Sequence, residues 1–183
     1  MSAVLAATLD ELAAHGTDGV SIDRIAKAAD VNKTTVYRRW ATREELVAAA
    51  LESALHGSTE SLSDCGSLRA DLVQLVEQQG RFVSTSAGQA IARAAMSSTL
   101  ADAIRQRMQA SALRQPAEIV GLIERAVKRG EWDLSRTPPE VLFAMLGGAV
   151  IQRVLMERSP TDEAWCASLV ELAMRAIKGG DAR

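Results

Sequence analysis

Apolar side chains recur along this chain at intervals of three and four residues, the spacing that gathers them on one face of an α-helix. The first 55 residues contain four such segments, each with its own start or stop signal. They predict a helix at about 2–15, a second helix that Ser21 caps, a third at about 33–40 that Asn32 caps, and a fourth that the capping box Thr42-Arg43-Glu44-Glu45 opens. Between the second and third helices, Ala29-Asp30-Val31 predicts a tight turn, because Asp tolerates the left-handed backbone conformation better than most residues.

The stretch from His56 to Ser67 is rich in Ser, Gly and Thr and lacks periodicity, which is typical of a junction between domains. It divides the chain into an N-terminal domain at 1–55 and a C-terminal domain at 56–183. The second domain contains five further helical segments, at about 68–85, 87–97, 100–129 (with Pro116 as a kink or a break), from Thr137-Pro138-Pro139-Glu140 onward, and 162–178. The predicted fold is therefore all-α, with about nine helices.

The composition supports helices and points to one charged surface. Apolar residues make up 48% of the chain and aromatic residues 3%, with 4 Pro and 12 Gly, which leaves little room for turn-rich β-architecture. The net charge of −2 is unevenly distributed, since residues 21–43 contain six basic and two acidic side chains and are +4 against −6 for the rest. A basic patch on an acidic body is typical of a surface that docks on nucleic acid, although a solvated helical face could have the same composition.

Other classes of function find little support in the sequence. The N-terminus has no secretory signal, and the longest purely apolar run, Val141 to Ile151, is shorter than a bilayer requires. Cys65 and Cys166 form no disulfide framework or metal-binding motif, and no Gly-rich phosphate loop is present. His15 and His56 have no obvious carboxylate or nucleophile partner in the sequence. We therefore expect a cytoplasmic protein that does not enter membranes, is not an enzyme, and needs no metal or cofactor.

The third helix has two distinct faces. At about 100° per residue, Val36 and Trp40 fall in one narrow sector and are expected to face the first two helices. The polar side chains lie opposite this sector or on its flanks: Thr34, Thr35, Arg38, Tyr37 and Arg39. Two short helices joined by a three-residue turn, with hydroxyls and arginines on the outer face of the second, are typical of a helix-turn-helix that enters the major groove of DNA.

The residues expected to contact DNA differ in what they can reach. The threonines allow close approach to base edges, and Arg38 can reach a guanine or a phosphate. Tyr37 and Arg39 are expected to meet phosphates on either wall of the groove, while Arg43 lies at a helix N-terminus, which favours anions. The full set of expected DNA contacts is Lys33, Thr34, Thr35, Tyr37, Arg38, Arg39, Thr42 and Arg43. The alternative is an ordinary amphipathic helix pair with a charged solvent side.

The stretch SIDRIAKAADVNKTTVYRRWATREEL resembles the DNA-binding domain of the tetracycline-repressor (TetR) family. The resemblance covers about 15–51 and rests on Ser21, Ile25-Ala26, Ala29, Val31, Thr35, Tyr37, Arg39, Trp40 and Thr42-Arg43 before Leu46. Two features depart from the family pattern: Asp30 stands where Gly is usual, and the sequence begins almost at the first helix, so that either the basic arm common in the family is absent or the start of the chain is placed late. Further along, ERAVKRGEW and ERSPTDEAW resemble the regulatory domain of one branch of the family.

This resemblance implies a homodimer that binds double-stranded DNA at a palindromic operator, with a small-molecule effector of unknown identity that relieves repression. The first domain is then the helix-turn-helix domain, and the second is a helical ligand-binding and dimerisation domain with a pocket among helices 5 to 8. The candidate pocket residues are Gln79, Phe82, Met96, Met108 and Met145, although residues of these types are more often plain core.

The eighth helix carries VLFAMLGGAVI, which is apolar on all sides and so needs cover on all sides. The body of the chain can cover one side and a second subunit the other, so that helices 8 and 9 of two protomers form a four-helix interface. The expected interface residues are Gly147, Gly148, Ile151, Leu155, Trp165, Leu169 and Leu172. A monomer with the eighth helix at its centre is the alternative.

Two other regulators would have the same DNA-binding domain. One is a redox sensor that uses the thiol of Cys65 or Cys166, and the other is a transcriptional activator. The sequence does not separate a repressor from an activator.

Overall fold

A computed structural model describes residues 2–57, 61–96 and 117–179, and every regular element in these ranges is a helix. The helices are α1 Ser2–His15, α2 Ile22–Ala28, α3 Lys33–Arg39, α4 Arg43–Gly57, α5 Leu68–Ser84, α6 Ser86–Met96, α7 Ala117–Lys128, α8 Pro139–Ile151 and α9 Glu163–Lys178. One π-helical turn, Gln152–Met156, extends α8. The all-α prediction is confirmed. The part of the predicted 100–129 segment that contains Pro116 lies outside the described residues.

The described helices divide into two compact units, each with its own core. The first unit contains α1 to α4, and its largest fully buried side chains are Leu12, Ile25, Val36, Leu46 and Leu51. Helix α6 also belongs to this unit, because Ala90 and Ala94 pack into the same core against α1 and α4. These small side chains permit close helix approach. Sequence order does not indicate this placement, since α6 directly follows α5 in the chain.

The second unit contains most of α5 together with α7, α8 and α9. Its core is built from apolar positions at helical spacing on all four helices, with Leu72, Leu122, Leu146 and Val170 each fully buried. The indole N–H of Trp132 donates to the carbonyl oxygen of Thr137 at 2.9 Å, which satisfies the polar atom of a large buried ring. The loop between α7 and α8 is thereby fixed to the core.

A cluster of charged side chains holds the start of α5 against the end of α7. Asp71 is buried, and its carboxylate accepts hydrogen bonds from the Arg129 guanidinium at 2.8 Å and from the backbone N–H of Cys65 at 2.7 Å. Arg129 also pairs with Asp64 and Glu131, both at 2.8 Å. These carboxylates, Asp71 first, raise the pKa of Arg129. Both oxygens of this buried carboxyl group therefore have a hydrogen-bond donor, as a buried polar group requires.

Helix α8 buries only one of its faces within the chain. Leu142, Leu146 and Val150 are fully buried, whereas Val141 is 59% exposed and Met145 is 41% exposed. The chain itself therefore covers only one side of this helix. The opposite side is an exposed apolar face.

The stretch Pro139–Met156 is also long and apolar enough, at a mean hydropathy of 1.4, to cross a membrane on these criteria alone. It exceeds the eleven-residue run of the sequence because the π-helical turn carries the helix past Gln152 and Arg153. A single such helix is weak evidence for a membrane span, because helices in the cores of water-soluble proteins have the same composition.

Candidate nucleic-acid interface

Helices α2 and α3 begin at the residues that the sequence predicts. The Ser21 hydroxyl oxygen accepts the N–H of Arg24 at 3.4 Å, and the Asn32 Oδ1 accepts the N–H of Thr34 at 2.9 Å. Each cap satisfies a backbone N–H that has no partner within its helix. Both predicted caps are confirmed, and they fix where each short helix starts.

The turn between α2 and α3 has the left-handed residue that the sequence predicts. Asp30 has φ of 53°, the Val31 N–H donates to the Ala26 carbonyl at 3.0 Å, and the Asp30 N–H donates to the Lys27 carbonyl at 3.3 Å. This pair of bonds is the Schellman motif, which commonly ends a helix at a left-handed residue. An Asp where the family usually has Gly therefore keeps the turn.

Helix α3 has the orientation that its sequence predicts. Val36 is 1% exposed in the core of the first unit, and Trp40, which ends the helix, is half-buried against the same core. On the outer side, Thr34, Thr35 and Arg38 are exposed. The outer face of α3 is therefore available to a groove.

The flanks of α3 carry aromatic and cationic groups in contact. Tyr37 is 45% exposed, with the ammonium of Lys33 5.9 Å from its ring centroid, and the Arg39 guanidinium lies 5.5 Å from the Trp40 ring centroid. Such cation–π contacts hold the long basic side chains close to the helix.

The start of α4 is capped by two bonds, one of them displaced from the expected pattern. The Thr42 hydroxyl oxygen accepts the Glu45 N–H at 3.1 Å, and Glu45 Oε2 accepts the Ala41 N–H at 2.8 Å, one residue before the usual position. Arg43 donates to the carbonyl of Asp18 at 3.4 Å and pairs with Glu44 at 3.3 Å. Both predicted contact residues here, Thr42 and Arg43, thus also have partners within the chain.

The six basic side chains of residues 21–43 are not equivalent in the structure. Three pair with carboxylates: Arg24 with Glu11, Lys33 with Asp23, and Arg43 with Glu44. The other three, Lys27, Arg38 and Arg39, have no carboxylate partner within the described ranges. A count of charges in the sequence does not reveal this, because the Asp23–Lys33 pair spans ten residues and depends on how two helices cross.

The candidate pocket residues do not form one described site. Met108 and the side chain of Met96 lie outside the described residues. Gln79 and Phe82 are half-buried on α5, and Gln79 Oε1 is buried with no hydrogen-bond partner among the described residues. Met145 lies on the exposed face of α8, away from the buried Leu146. Gln79 is thus the candidate with a side-chain oxygen that a hydrogen-bond donor of a ligand could satisfy.

A cleft that the sequence did not indicate lies at the ends of α5, α7 and α9, with a volume of about 640 Å³. Its walls combine the apolar Met174 and Ile177 with six charged residues: Arg69, Glu131, Asp133, Arg136, Glu171 and Lys178. Two of these lining residues, Arg69 and Glu171, form an ion pair at 2.6 Å. The cleft therefore contains charges of both signs.

The candidate dimer residues are distributed over the outer sides of α8 and α9. Leu172 is 59% exposed, Gly148 is exposed, and the remaining five are half-buried. A Cβ added at Gly148 would have no atom within 4 Å, whereas one at Gly147 would lie 3.8 Å from the Gln79 amide nitrogen. Val141, Met145 and Met156 are also exposed apolar side chains, and none of them was among the predicted interface residues.

Comparison with known proteins relates both halves of the chain to the same family of regulators. The family described as "Bacterial regulatory proteins, tetR family" matches residues 4–50, and "Tetracyclin repressor-like, C-terminal domain" matches residues 62–173. A DNA-binding transcriptional repressor TetR of Mycobacteroides abscessus is 31% identical over 176 residues, which is 93% of this chain and 89% of that protein. The HTH-type transcriptional regulator YdeS of Bacillus subtilis is 28% identical over 97% of this chain and 87% of its own length.

Solved structures agree in fold. A TetR-family transcriptional regulator from a Rhodococcus species has a TM-score of 0.75 at 21% identity and covers 98% of this chain and 100% of its own. The regulator FadR of Bacillus subtilis, in complex with stearoyl-CoA, has a TM-score of 0.71 at 16% identity, with coverage of 96% and 98%. The helix-turn-helix, the helical second unit and these matches lead to one assignment: the chain belongs to the TetR family of DNA-binding transcriptional regulators.

Proposed function

We propose that this regulator is a homodimeric repressor that inserts α3 into the major groove of a palindromic operator and leaves it when a small molecule binds the second unit. The observation that supports the DNA contact most strongly is the orientation of α3. Val36 is buried while Thr34, Thr35 and Arg38 are exposed on a helix with a fixed start.

The two threonines are not equally suited to contact bases. The Thr34 hydroxyl donates to Asn32 Oδ1 at 2.9 Å and so belongs to the cap of α3. The Thr35 hydroxyl makes no hydrogen bond within the described part of the chain and is free for a base edge or, through its methyl group, a thymine. We assign Thr35 and Arg38 to the bases, and Lys33, Tyr37, Arg39, Thr42 and Arg43 to the phosphates.

A second copy of the chain provides the remaining cover for α8. Its exposed apolar side chains, together with Leu172 of α9, form a face that a two-fold axis can pair with itself. Such a dimer places two copies of α3 one or more helical turns apart, about 34–36 Å for each turn, and so accounts for a palindromic site.

Control by a ligand fits the second unit. The structural neighbour FadR was solved with stearoyl-CoA, which supports a ligand-responsive role for this fold. In this chain, the unbonded oxygen of Gln79 favours a ligand that donates a hydrogen bond. A coupling of about 1–3 kcal/mol between ligand and DNA would change operator affinity by about 5–150-fold.

Redox control has weaker support than ligand control. Cys166 is fully buried, and burial, then the charges of Glu77 and Asp162, raise the pKa of its thiol. A thiol with a raised pKa is a poor nucleophile, because the thiolate is the reactive form. Cys65 is exposed, and its thiol contacts the carbonyl oxygen of Ser63 at 3.8 Å and the amide oxygen of Gln74 at 3.6 Å. We place the regulator in the cytoplasm, where its DNA is.

The test is selection of genomic fragments from the source organism with the full chain, followed by titration of the selected duplex. We expect a palindromic sequence, and we expect the triple variant T34A/T35A/R38A to lose at least 100-fold in affinity for it. Lys128→Ala, which removes an exposed charge from α7, is the control and should bind as the wild type does. Failure to enrich any duplex, or equal losses in both variants, would refute the proposed DNA contact.

A further inference from the structure

We propose that Asp23 suppresses sequence-independent DNA binding by holding the Lys33 ammonium on the protein until the chain docks at its operator. The Lys33 Nζ lies 2.7 Å from one carboxylate oxygen of Asp23 and 2.9 Å from the other. The same ammonium is 5.9 Å from the Tyr37 ring centroid. This inference rests on the proposed use of α3 and adds a residue that determines specificity.

The position of Asp23 places a negative charge where phosphates are expected. It is the second residue of α2, and Lys33 is the first residue of α3. In a helix-turn-helix the first of the two helices crosses the DNA backbone while the second lies in the groove. A carboxylate on this side of α2 therefore opposes phosphates, and it also occupies a cation that would otherwise attract them.

The Asp23–Lys33 pair differs from the neighbouring pair of Arg24 with Glu11. The Glu11 side chain is only 10% exposed and also accepts the backbone N–H of Ser21, so that this pair belongs to the packing of α1 on α2. The Asp23 side chain is 71% exposed and that of Lys33 is 44% exposed. Exposed ion pairs contribute little to stability, so a phosphate can replace the carboxylate with little loss of free energy.

This exchange separates two modes of DNA binding. Sequence-independent binding depends on the cations that are free to meet phosphates, and in the described part of this surface these are Lys27, Arg38 and Arg39. Lys33 joins them only when α3 is seated in the groove and a phosphate lies within its reach. Asp23 thus lowers affinity for random DNA more than affinity for the operator, which raises the ratio between them.

The experiment compares four proteins on a random-sequence duplex between 50 and 200 mM salt: the wild type, Asp23→Asn, Lys33→Gln and the double variant. Asp23→Asn should bind the random duplex about three- to tenfold more tightly, with a salt slope steeper by about 0.9, the value for one added phosphate contact. Lys33→Gln should remove this gain. The loss of affinity that Lys33→Gln causes should therefore be several-fold larger in the Asp23→Asn background than in the wild type. Asp10→Asn removes the same charge from an exposed position on α1 and should not tighten binding.

On the selected operator, Lys33→Gln should weaken the wild type, with a salt slope lower by about 0.9, and Asp23→Asn should tighten binding less than on random DNA. Equal tightening on both duplexes, equal gains from Asp10→Asn, or losses from Lys33→Gln that are the same in both backgrounds would overturn the proposal. Asp23→Glu keeps the charge, and its thermal unfolding distinguishes the proposed effect on DNA binding from a purely structural role of Asp23. If the wild type binds no duplex at any salt concentration, the proposed function fails, whereas binding without coupling refutes only the role of Asp23.

Discussion

Helices α3 and α8 both bury apolar side chains at helical spacing, but they differ in what covers the opposite side. On α3 a single buried valine anchors the helix, and the outer face consists of exposed hydroxyls and cations. On α8 the outer face is as apolar as the buried one, with Val141 and Met145 exposed. A polar outer face needs only water or a polar partner such as DNA, whereas an apolar outer face needs another protein surface. The two helices therefore predict different kinds of partner.

The largest expected effect separates the two faces of α8. Leu146→Ala, at a fully buried position, should lower the free energy of unfolding by about 3 kcal/mol, because it removes buried methyl groups and leaves a cavity. Met145→Ala, one residue away and 41% exposed, should hardly change the stability of the isolated chain but should weaken self-association. Chemical denaturation at low protein concentration measures the first effect, and its dependence on protein concentration measures the second. Similar losses in both variants would contradict the two-faced description of α8.

Gly148→Phe tests directly whether the outer face of α8 is an interface. A Cβ atom at this position has open space beyond the backbone of its own helix, with no other atom within 4 Å, so the variant should fold. It should weaken dimerisation by at least about 100-fold, equivalent to about 2.7 kcal/mol, if helices pack closely there in the dimer. Sedimentation velocity measures the change, and an intact dimer would place the interface elsewhere.

The contact of α1 with α2, the helix that precedes α3, is expected to depend on pH. Burial raises the pKa of Glu11, but hydrogen bonds from Arg24 and from the Ser21 N–H outweigh it and hold the pKa below its ordinary value of 4.5. The folded state therefore favours the carboxylate, and the stability from this group is complete above about pH 4.5 and is lost as the pH falls through the lower folded value. Glu11→Gln should remove about 1 kcal/mol at neutral pH and flatten the acid limb of the stability profile. Parallel profiles for the two proteins between pH 3 and pH 7 would exclude this role.

The smallest expected effect concerns the turn between α2 and α3, which sets the direction of α3. Asp30 adopts a left-handed conformation, which Gly reaches without the clash of a Cβ atom. Asp30→Gly should stabilise the chain by about 0.5 kcal/mol, and Asp30→Val, whose branched side chain tolerates this region poorly, should destabilise it. The midpoint of thermal unfolding measures both changes. If both variants are less stable than the wild type, the Asp30 side chain contributes more to the turn than its backbone conformation suggests.

The sequence predicts most of the first unit because its signals are local. Caps at Ser21 and Asn32, the left-handed Asp30 and the inward direction of Val36 all depend on residues within one or two helical turns. The pairing of Lys33 with Asp23 and the packing of α6 on α1 depend on how helices cross, and neither has a local signal. They become visible only when the helices are placed in space.

The second unit was predictable in its helices but less so in its sites. The buried face of α8 could not be chosen from an all-apolar pattern, so the separation of Leu146 from Met145 is a product of packing. Likewise, the enclosure of Asp71 by Arg129 joins side chains 58 residues apart. For the same reason, the candidate pocket residues remain a prediction, supported only by the buried Gln79 oxygen, which has no hydrogen-bond partner in the described part of the chain.

The most direct test of the account is the effect of Thr35→Ala on base discrimination at the operator. Wild type and variant are titrated against a series of duplexes in which each base pair of the selected site is substituted in turn. Ser53→Ala, which removes an exposed hydroxyl from α4, is the control. If α3 contacts bases through its outer face, discrimination is lost at one position in each half-site and is unchanged elsewhere. A uniform loss of affinity at every position, or an unchanged profile, would contradict the claim that this face contacts the bases.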